Sequence, residues 1–396
     1  MGHEPAEAFV NEPKGSVVRR ADIITFDRQN TLQRVKGYDV ARGIAIIGMV
    51  LVNFHSILFT DKKYPLWIDS TANLLYGRAA SLFVMLAGIG IVLMSRRALQ
   101  SNNPIEIRIV RMQLLKRSLV LLVMGILFKK WWHADILHFY GIFLSTGACL
   151  LSWPVRRLCV LAFGLLAVTS ILYSLTEGYP SLGEWIGVQN IYTEVVDEML
   201  LNGQYPFLPW MAFLLTGMCL GKLEVHSRTD IFGRLLIWGL AISVGLELTA
   251  YYLPDYLYKY RNYDDTSPLF MLLLSESYPI SPLFVLTATA SAVAAMIFAS
   301  WFAGQQRFQG IIQPLKCAGQ LSLTIYISHI FIGKGLEKIL RIAVERELYP
   351  AVGVACTLVF CLVIVLLSRY WCLHFKRGPL EWLLRYLSSS MQKAIS

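Results

Sequence analysis

The chain has 396 residues, of which 56% are hydrophobic and only 16% are charged, and its mean hydropathy is +0.53. About a quarter of the residues in a soluble globular chain are charged, so this composition excludes an ordinary soluble domain. The net charge of +10 does not indicate a nucleic-acid-binding surface, because the basic residues cluster between apolar segments, as in cytoplasmic loops that face anionic lipid.

Apolar segments recur along the chain, and each is long enough to cross hydrocarbon of about 30 Å, which takes roughly 20 residues. In lipid the backbone must satisfy its own hydrogen bonds, and these segments do not alternate as barrel strands do. The sequence therefore predicts an all-α polytopic transmembrane helix bundle of about ten spans. The predicted spans are 38–58, 73–94, 117–130, 135–153, 157–175, 207–222, 231–253, 283–303, 316–333 and 350–369.

Lys and Arg concentrate in alternate loops, whereas the longest loop of the opposite set, 176–206, is acidic. Basic loops stay in the cytoplasm, so the pattern predicts that both termini are cytoplasmic. Three regions follow. They are a cytoplasmic N-terminal tail at 1–36, a transmembrane domain at 37–370 and a cytoplasmic amphipathic tail at 371–396.

Polar side chains in the first predicted span form the first group of candidates, because a polar residue inside a membrane is costly and is a functional hypothesis by default. Asp39 and Arg42 are three residues apart, so they lie on one helical face. They form either an ion pair that anchors the end of the helix or part of a binding site. Asn53 lies about four turns, or some 21 Å, further along that face. His55 follows near the outer end, as a hydrogen-bonded anchor or as a base.

A carboxylate and an imidazole stand at helical spacing at the start of the fourth predicted span. Asp135 and His138 are three residues apart, so the carboxylate can orient the ring as a general base requires; the alternative is a hydrogen-bonded turn. His329 lies at the outer end of the ninth span, after hydroxyl side chains that can serve helix packing. Since Asn53 and His55 also map to the outer third, the sequence predicts one polar pocket.

Motifs of several other chemistries do not occur in the sequence. It contains no HExxH zinc-binding spacing, no phosphate-binding glycine loop and no nucleophile elbow. We therefore expect neither a metal nor nucleotide hydrolysis.

Six stretches in chain order resemble the YeiB-like family of bacterial membrane proteins. They are YDVARGIAIIGMVLVNFHSI, SLFVMLAGIGIVLMSRR, DILHFYGIFLSTGACLL, PFLPWMAFLLTGMCLGKL, GQLSLTIYISH and RGPLEWLLRYL. The resemblance covers roughly residues 34–388, and its most specific piece is RGPLEWLLR, from Arg377 to Arg385. More distantly, the chain resembles heparan-alpha-glucosaminide N-acetyltransferase and the integral-membrane sugar O-acyltransferases, which share the DxxRG element that begins at Asp39.

This resemblance implies transfer of an acyl group from cytoplasmic acyl-CoA, with acetyl-CoA as the expected donor, to a sugar or envelope acceptor outside a bacterial inner membrane. It implies a catalytic role for Asn53, which falls on the position of a catalytic Asn in the heparan enzyme. The sugar O-acyltransferases carry a histidine at that distance. The heparan enzyme's own catalytic histidine has no counterpart, because 56–72 contains none.

Acyl transfer from a thioester needs a base for the attacking hydroxyl or amine and a donor for the developing oxyanion. We expect His55 or His138 to be the base, oriented by Asp135. Asn53 is then the oxyanion donor, and His329 belongs to the same pocket.

At the cytoplasmic mouth, Arg42 beside Asp39 is expected to bind a phosphate of CoA, since a guanidinium suits bidentate phosphate contact. Two other functions stay open: a small-solute transporter with a histidine proton relay, and an accessory membrane protein without chemistry. The expected partners are the lipid bilayer and a small-molecule or glycan acceptor, not nucleic acid, and the sequence leaves a homodimer open.

Overall fold

The computed structural model describes residues 35–59, 66–175, 183, 186–225, 228–261, 272–276, 280–345 and 348–393. Most of these residues are helical, so the predicted all-α class is confirmed. The predicted N-terminal tail lies outside the described residues, apart from its last two positions.

Helices α1 to α14 follow one another along the described chain. They are α1 (Lys36–Leu58), α2 (Leu66–Leu75), α3 (Arg78–Ser101), α4 (Pro104–Phe128), α5 (Leu137–Cys149), α6 (Val155–Leu175), α7 (Ile191–Asp197), α8 (Phe207–Lys222), α9 (Phe232–Arg261), α10 (Pro282–Ala303), α11 (Gln309–Gln320), α12 (Ser322–Ala343), α13 (Tyr349–His374) and α14 (Pro379–Lys393).

Every predicted span contains a helix, but fewer than ten of these helices are both long enough and apolar enough to cross a membrane. Among the described residues, six helices are long and apolar enough, or up to seven if the bent pair α11–α12 counts as one span. Helices α5 and α8 have 13 and 16 residues. At about 1.5 Å per residue they are shorter than about 30 Å of hydrocarbon. Helix α4 is long enough, but four basic residues stand among the residues from Pro104 to Arg117.

The apolar helices divide into a buried group and a peripheral group. Half or more of the apolar stretch is buried in α1, α3 and α10, but less than a fifth in α6, α9 and α13. The peripheral helices expose large apolar side chains such as Phe163, Ile237 and Leu362. A soluble monomer rarely exposes contiguous apolar surface on this scale, so these faces fit contact with lipid.

Helix α1 is held at the centre by a close crossing with α11. A Cβ atom added to Gly43 would overlap the carbonyl oxygen of Leu315, and one added to Gly319 would overlap the carbonyl oxygen of Asp39. Small residues let two helix backbones approach in this way inside a membrane bundle. The crossing fixes the height and rotation of α1.

The chain bends by 83° between α11 and α12, at Leu321. The first backbone N–H groups of a helix have no partner within it. Here the Glu381 carboxylate of α14 accepts from the N–H groups of Leu323 and Thr324, at 2.8 and 3.1 Å, and from the Thr324 hydroxyl at 2.6 Å. The C-terminal helix therefore caps α12.

Candidate active site

A contact between Asn53 on α1 and His329 on α12 forms the centre of the candidate site. The Asn53 amide nitrogen lies 2.9 Å from His329 Nε2, and His329 Nδ1 lies 3.1 Å from the carbonyl oxygen of Ile325. That carbonyl can only accept, so Nδ1 carries a proton, and Nε2 of the neutral ring accepts from the amide. The contact does not use the amide oxygen of Asn53.

The carboxylate of Asp135 is fully buried and accepts three hydrogen bonds. The Tyr326 hydroxyl donates to Oδ1 at 3.0 Å, while the backbone N–H and Nδ1 of His138 donate to Oδ2 at 3.2 and 3.0 Å. The Tyr326 oxygen in turn accepts from the N–H of Ile136 at 3.2 Å. Burying a carboxylate is costly unless it is hydrogen-bonded, and these contacts supply the donors and fix the His138 ring.

The Asn53–His329 contact and the hydrogen-bonded group around Asp135 each include one residue of α12. Tyr326 and His329 are one turn apart on this helix, and their ring centroids are 5.6 Å apart. Helices α1, α5 and α12, with the segment just before α5, thus bring together four of the five residues predicted as catalytic, and Tyr326 joins the two groups.

A cavity of about 170 Å³ opens beside Asn53. Its wall is rich in aromatic and amide side chains. They are Asn53, Tyr76, Trp132, Gln204, Tyr205 and Trp210.

Further polar contacts organise this wall. The Gln204 amide nitrogen donates to the Tyr76 hydroxyl at 2.8 Å. Burial raises the pKa of the Tyr205 phenol, and the neighbouring Tyr76 and Asp135 raise it further. Tyr205 therefore stays neutral and can donate a hydrogen bond.

His55 faces a different part of the protein. Its Nε2 lies 2.9 Å from Asp69 Oδ1 on α2, and its ring lines a separate, mostly apolar cavity of about 250 Å³ beside α13. A helix turns by about 100° per residue, so side chains two positions apart point in nearly opposite directions. The predicted pocket contains Asn53 but not His55.

Arg42 and Asp39 pair at the other end of α1, with 3.3 Å between Arg42 Nη1 and Asp39 Oδ1. The Gln320 amide donates to the second carboxylate oxygen of Asp39 at 3.0 Å. The Arg42 side chain is a quarter exposed. Along α1, Arg42 lies about 16 Å and Asp39 about 21 Å of helical rise from Asn53, so the pair forms a second, separate candidate site.

Metal ligands do not gather around either site in the described part of the chain, where no group of three or more His, Cys, Asp or Glu side chains could hold an ion.

Comparison with known proteins assigns the family. Residues 34–255, more than half of the chain, match the family model for heparan-alpha-glucosaminide N-acetyltransferase, catalytic. The chain belongs to this family. A second model, for a protein of unknown function (DUF418), matches residues 221–390.

A bacterial relative matches most of the chain. The uncharacterized protein YxaH of Bacillus subtilis (strain 168) is 23% identical over 417 residues, a match that covers 90% of this chain and 96% of that protein. The resemblance inferred from the sequence is thereby confirmed. The N-acetyltransferase match contains Asn53, Asp135 and His138, whereas His329 lies only in the second match.

Several site residues of this N-acetyltransferase family member were not predicted from the sequence. Tyr326 is one of the hydroxyl side chains that precede His329 and can serve helix packing, and nothing in the local sequence marks Tyr76, Gln204 or Trp210 as site residues. None of these carries a charge, although Trp210 and Tyr326 fall within the family-like stretches PFLPWMAFLLTGMCLGKL and GQLSLTIYISH. The one available signal was that Tyr76, Gln204 and Trp210 lie at predicted outer span ends or in a predicted outer loop.

Proposed function

We propose that this chain is a membrane acyltransferase that moves an acyl group from cytoplasmic acyl-CoA to an extracytoplasmic sugar or related envelope acceptor. The observation that carries the proposal is the Asn53–His329 pair beside a polar, aromatic cavity, in a chain of the N-acetyltransferase family. The pair supplies an unprotonated imidazole nitrogen next to an amide, and acyl transfer requires both a base and a polar donor.

The proposed topology is the ten-span one, with both termini in the cytoplasm of a bacterium and the bundle in its inner membrane. Residues 37–370 form the transmembrane domain, and 371–396 form the cytoplasmic tail. The cavity supports this arrangement, since its wall is built from Tyr76, Trp132 and Gln204, which all fall at predicted outer ends.

The proposed donor is acetyl-CoA, in line with the name of the family. Its phosphates are bound at the cytoplasmic end of α1 by the guanidinium of Arg42, which Asp39 holds in place and which remains partly exposed. The thioester then extends along α1 toward Asn53.

The proposed chemistry uses His329 as the base. The acceptor hydroxyl or amine attacks the thioester carbonyl carbon while the Asn53 amide N–H releases His329 Nε2, and the freed lone pair of Nε2 takes the acceptor's proton. The new bond to carbon forms, and the C–S bond breaks. The proton then returns to the thiolate of CoA. Asn53 holds the reacting groups and donates to the oxyanion, while Asp135 and His138 form the second acid–base pair. His55 takes no part.

The test measures release of free CoA from acetyl-CoA by the purified full-length protein, with and without added sugar acceptors. Loss of a general base costs about 10²- to 10⁴-fold in rate, so we expect His329→Gln to lose turnover by that factor. His55→Gln is the matched control and should keep turnover.

Thermal unfolding separates catalysis from structure in this test. His329 is buried, and a variant that merely loosened the fold would lower the unfolding temperature and the rate together. Equal turnover in His329→Gln and His55→Gln, with both proteins folded, would remove His329 from the mechanism. An absence of acetyl-CoA turnover in the unmodified protein, with every acceptor, would contradict the proposed function.

A further inference from the structure

We infer that Cys159 and Cys219 are a site of oxidative modification, where a reversible disulfide joins the peripheral helix α6 to the buried helix α8. The inference does not depend on the proposed function. It rests on the contact between the two thiols and on the packing of the two helices.

The two thiols are in contact although 60 positions separate them in the sequence. Cys159 Sγ lies 3.5 Å from Cys219 Sγ, and both cysteines are free. The sulfurs of a disulfide are about 2.05 Å apart, so bond formation brings them closer by about 1.5 Å. A movement of this size is a local adjustment of the two side chains and of α6.

Two neighbouring contacts fix the register of α6 on α8. Cys219 Sγ also lies 3.9 Å from the carbonyl oxygen of Val155, one turn before Cys159. Lys222, one turn after Cys219, donates to the carbonyl oxygen of Leu151 at 2.9 Å. Residues three and four apart share a helical face, so the thiol pair belongs to a continuous line of contacts between the two segments.

The two helices differ in how firmly the rest of the bundle holds them. Helix α8 carries the fully buried Trp210, Phe213 and Leu214. Its Gly217 leaves no space for a Cβ atom against the carbonyl oxygen of Met85 on α3. Less than a fifth of the apolar stretch of α6 is buried. Helix α8 is therefore the fixed partner, and α6 is the helix that the disulfide restrains.

The exposure of the two thiols assigns their roles in the oxidation. Cys159 is partly exposed, so a small oxidant reaches it, whereas Cys219 is buried. Cysteines that respond to oxidants combine an accessible thiol with a second, resolving thiol beside it. Cys159 is thus the thiol that is oxidised first, and Cys219 is the resolving thiol.

The reaction is a two-electron oxidation by a peroxide. The Cys159 thiolate attacks one oxygen of hydrogen peroxide and the O–O bond breaks, which leaves a sulfenic acid and a hydroxide that takes the proton lost by Cys159. Cys219 then attacks the Cys159 sulfur, the S–O bond breaks, and the Cys219 proton leaves with the hydroxide as water. Two thiols and one peroxide yield one disulfide and two water molecules. A dithiol reductant restores both thiols and is itself oxidised.

The proposed topology places the pair near the cytoplasmic ends of α6 and α8. Cytosolic reductants keep thiols reduced, and disulfides in that compartment are usually transient and respond to oxidants. The bond is therefore a temporary cross-link and not a permanent part of the fold. A covalent link across 60 positions restricts the unfolded chain, so the oxidised protein is the more stable form.

The test exposes the purified full-length protein to hydrogen peroxide, alkylates the remaining thiols and identifies cross-linked peptides by mass spectrometry. We expect a Cys159–Cys219 peptide pair that lacks two hydrogens and disappears after reduction with dithiothreitol. Because the two thiols are held in contact, this pair should form about tenfold faster or more than any disulfide of the exposed Cys149. The oxidised protein should unfold at a temperature several degrees above that of the reduced protein.

Matched variants separate the disulfide from other effects of peroxide. Cys159→Ser cannot form the bond, so peroxide should no longer raise its unfolding temperature. Cys149→Ser is the control and should respond like the unmodified protein. The cross-link measurement on the unmodified protein does not depend on either variant.

Three results would overturn the inference. The first is peroxide that carries Cys159 to a sulfinic acid without linking it to Cys219. The second is an equal rise in unfolding temperature in Cys159→Ser. The third is a Cys159–Cys219 disulfide that forms without any rise in the unfolding temperature of the unmodified protein.

Discussion

At the scale of single residues, Tyr326 connects the two hydrogen-bonded groups of the site. Its hydroxyl donates to Asp135 and accepts from Ile136, and its ring lies next to His329. Tyr326→Phe removes the donor from a buried carboxylate, and leaving such a group short of a partner costs about 1–3 kcal/mol. We expect a lower unfolding temperature and reduced turnover, measured by thermal unfolding in detergent and by CoA release.

The matched control for this prediction is Tyr192→Phe. Tyr192 is 78% exposed on α7, so loss of its hydroxyl should change neither stability nor turnover. If both Phe variants behave like the unmodified protein, the Tyr326 hydroxyl has no role in stabilising the Asp135 group.

A second prediction at this scale concerns Arg42. Hydrogen bonds to charged groups contribute about 1.5–3 kcal/mol, so Arg42→Ala should weaken acetyl-CoA binding about tenfold or more while the protein still folds. Arg108→Ala, which removes an exposed guanidinium from α4, is the control and should bind as before. If a folded Arg42→Ala protein binds acetyl-CoA with unchanged affinity, Arg42 does not bind the donor, and the Arg42–Asp39 pair only anchors the end of α1.

The sequence allowed prediction of the polar residues of the site but not of all their contacts. The expectation that α1, α5 and α12 meet rested on where their polar residues lie, and the contacts of Asn53 and Asp135 agree with it. The placement of His55 with them overlooked the rotation of about 200° between positions 53 and 55 of one helix. The partner of Asp135 on α12 is 191 positions away, and no local pattern indicates such a contact.

At the scale of helices, the close crossing of α1 and α11 predicts how a substitution at Gly43 changes the stability of the protein. A Cβ atom on Gly43 would overlap the backbone of Leu315, and backbone cannot move aside as a side chain can. Gly43→Ala should therefore destabilise the protein by about 1–3 kcal/mol or more, measured as a lower unfolding temperature.

Gly164→Ala is the corresponding control on α6. A Cβ atom there meets nothing within 4 Å, and alanine favours a helix over glycine by about 1 kcal/mol. This variant should unfold at the same or a higher temperature. Equal effects of the two substitutions would mean that α1 and α11 do not cross at Gly43.

A second prediction for the helices concerns the Glu381 carboxylate that caps the N-terminus of α12. Glu381→Gln weakens three hydrogen bonds and removes a negative charge from a helix N-terminus, where it is favourable. We expect faster amide hydrogen exchange at Leu323 and Thr324, and lower turnover because α12 carries His329. Glu194→Gln, on the exposed face of α7, is the control and should leave amide hydrogen exchange in α12 unchanged. Equal amide exchange in α12 for the two variants would mean that Glu381 does not cap this helix.

Helix positions were predictable where an apolar run is continuous, as for α1, α8 and α10. The break at Leu321 was not predicted, because 316–333 is one apolar segment in the sequence. The N–H groups that follow the break bind Glu381, which is 58 and 57 positions away from Leu323 and Thr324. The carboxylate comes from the segment 371–396, which the sequence predicts as an amphipathic tail and as a family feature but not as a cap for another helix.

At the scale of the whole molecule, the loop charges predict the orientation in the membrane. In a protein freed of its native cysteines, a cysteine introduced at Gly187 should react with a membrane-impermeant reagent added to intact cells. Cysteines introduced at Asn102 and Ser389 should react only after permeabilisation. The reverse pattern would place the cavity beside Asn53 on the cytoplasmic side.

The proposed function requires that the acyl group leave CoA on one side of the membrane and reach an acceptor on the other. The most direct measurement uses sealed proteoliposomes of known orientation, with radiolabelled acetyl-CoA on the face of Arg42 and methyl α-glucopyranoside on the face of Asn53. We expect acetylated sugar to accumulate on the Asn53 face with the unmodified protein and with His55→Gln, but not with His329→Gln. Movement of the sugar across the membrane without acetylation, or acetyl-CoA that stays intact, would contradict the account.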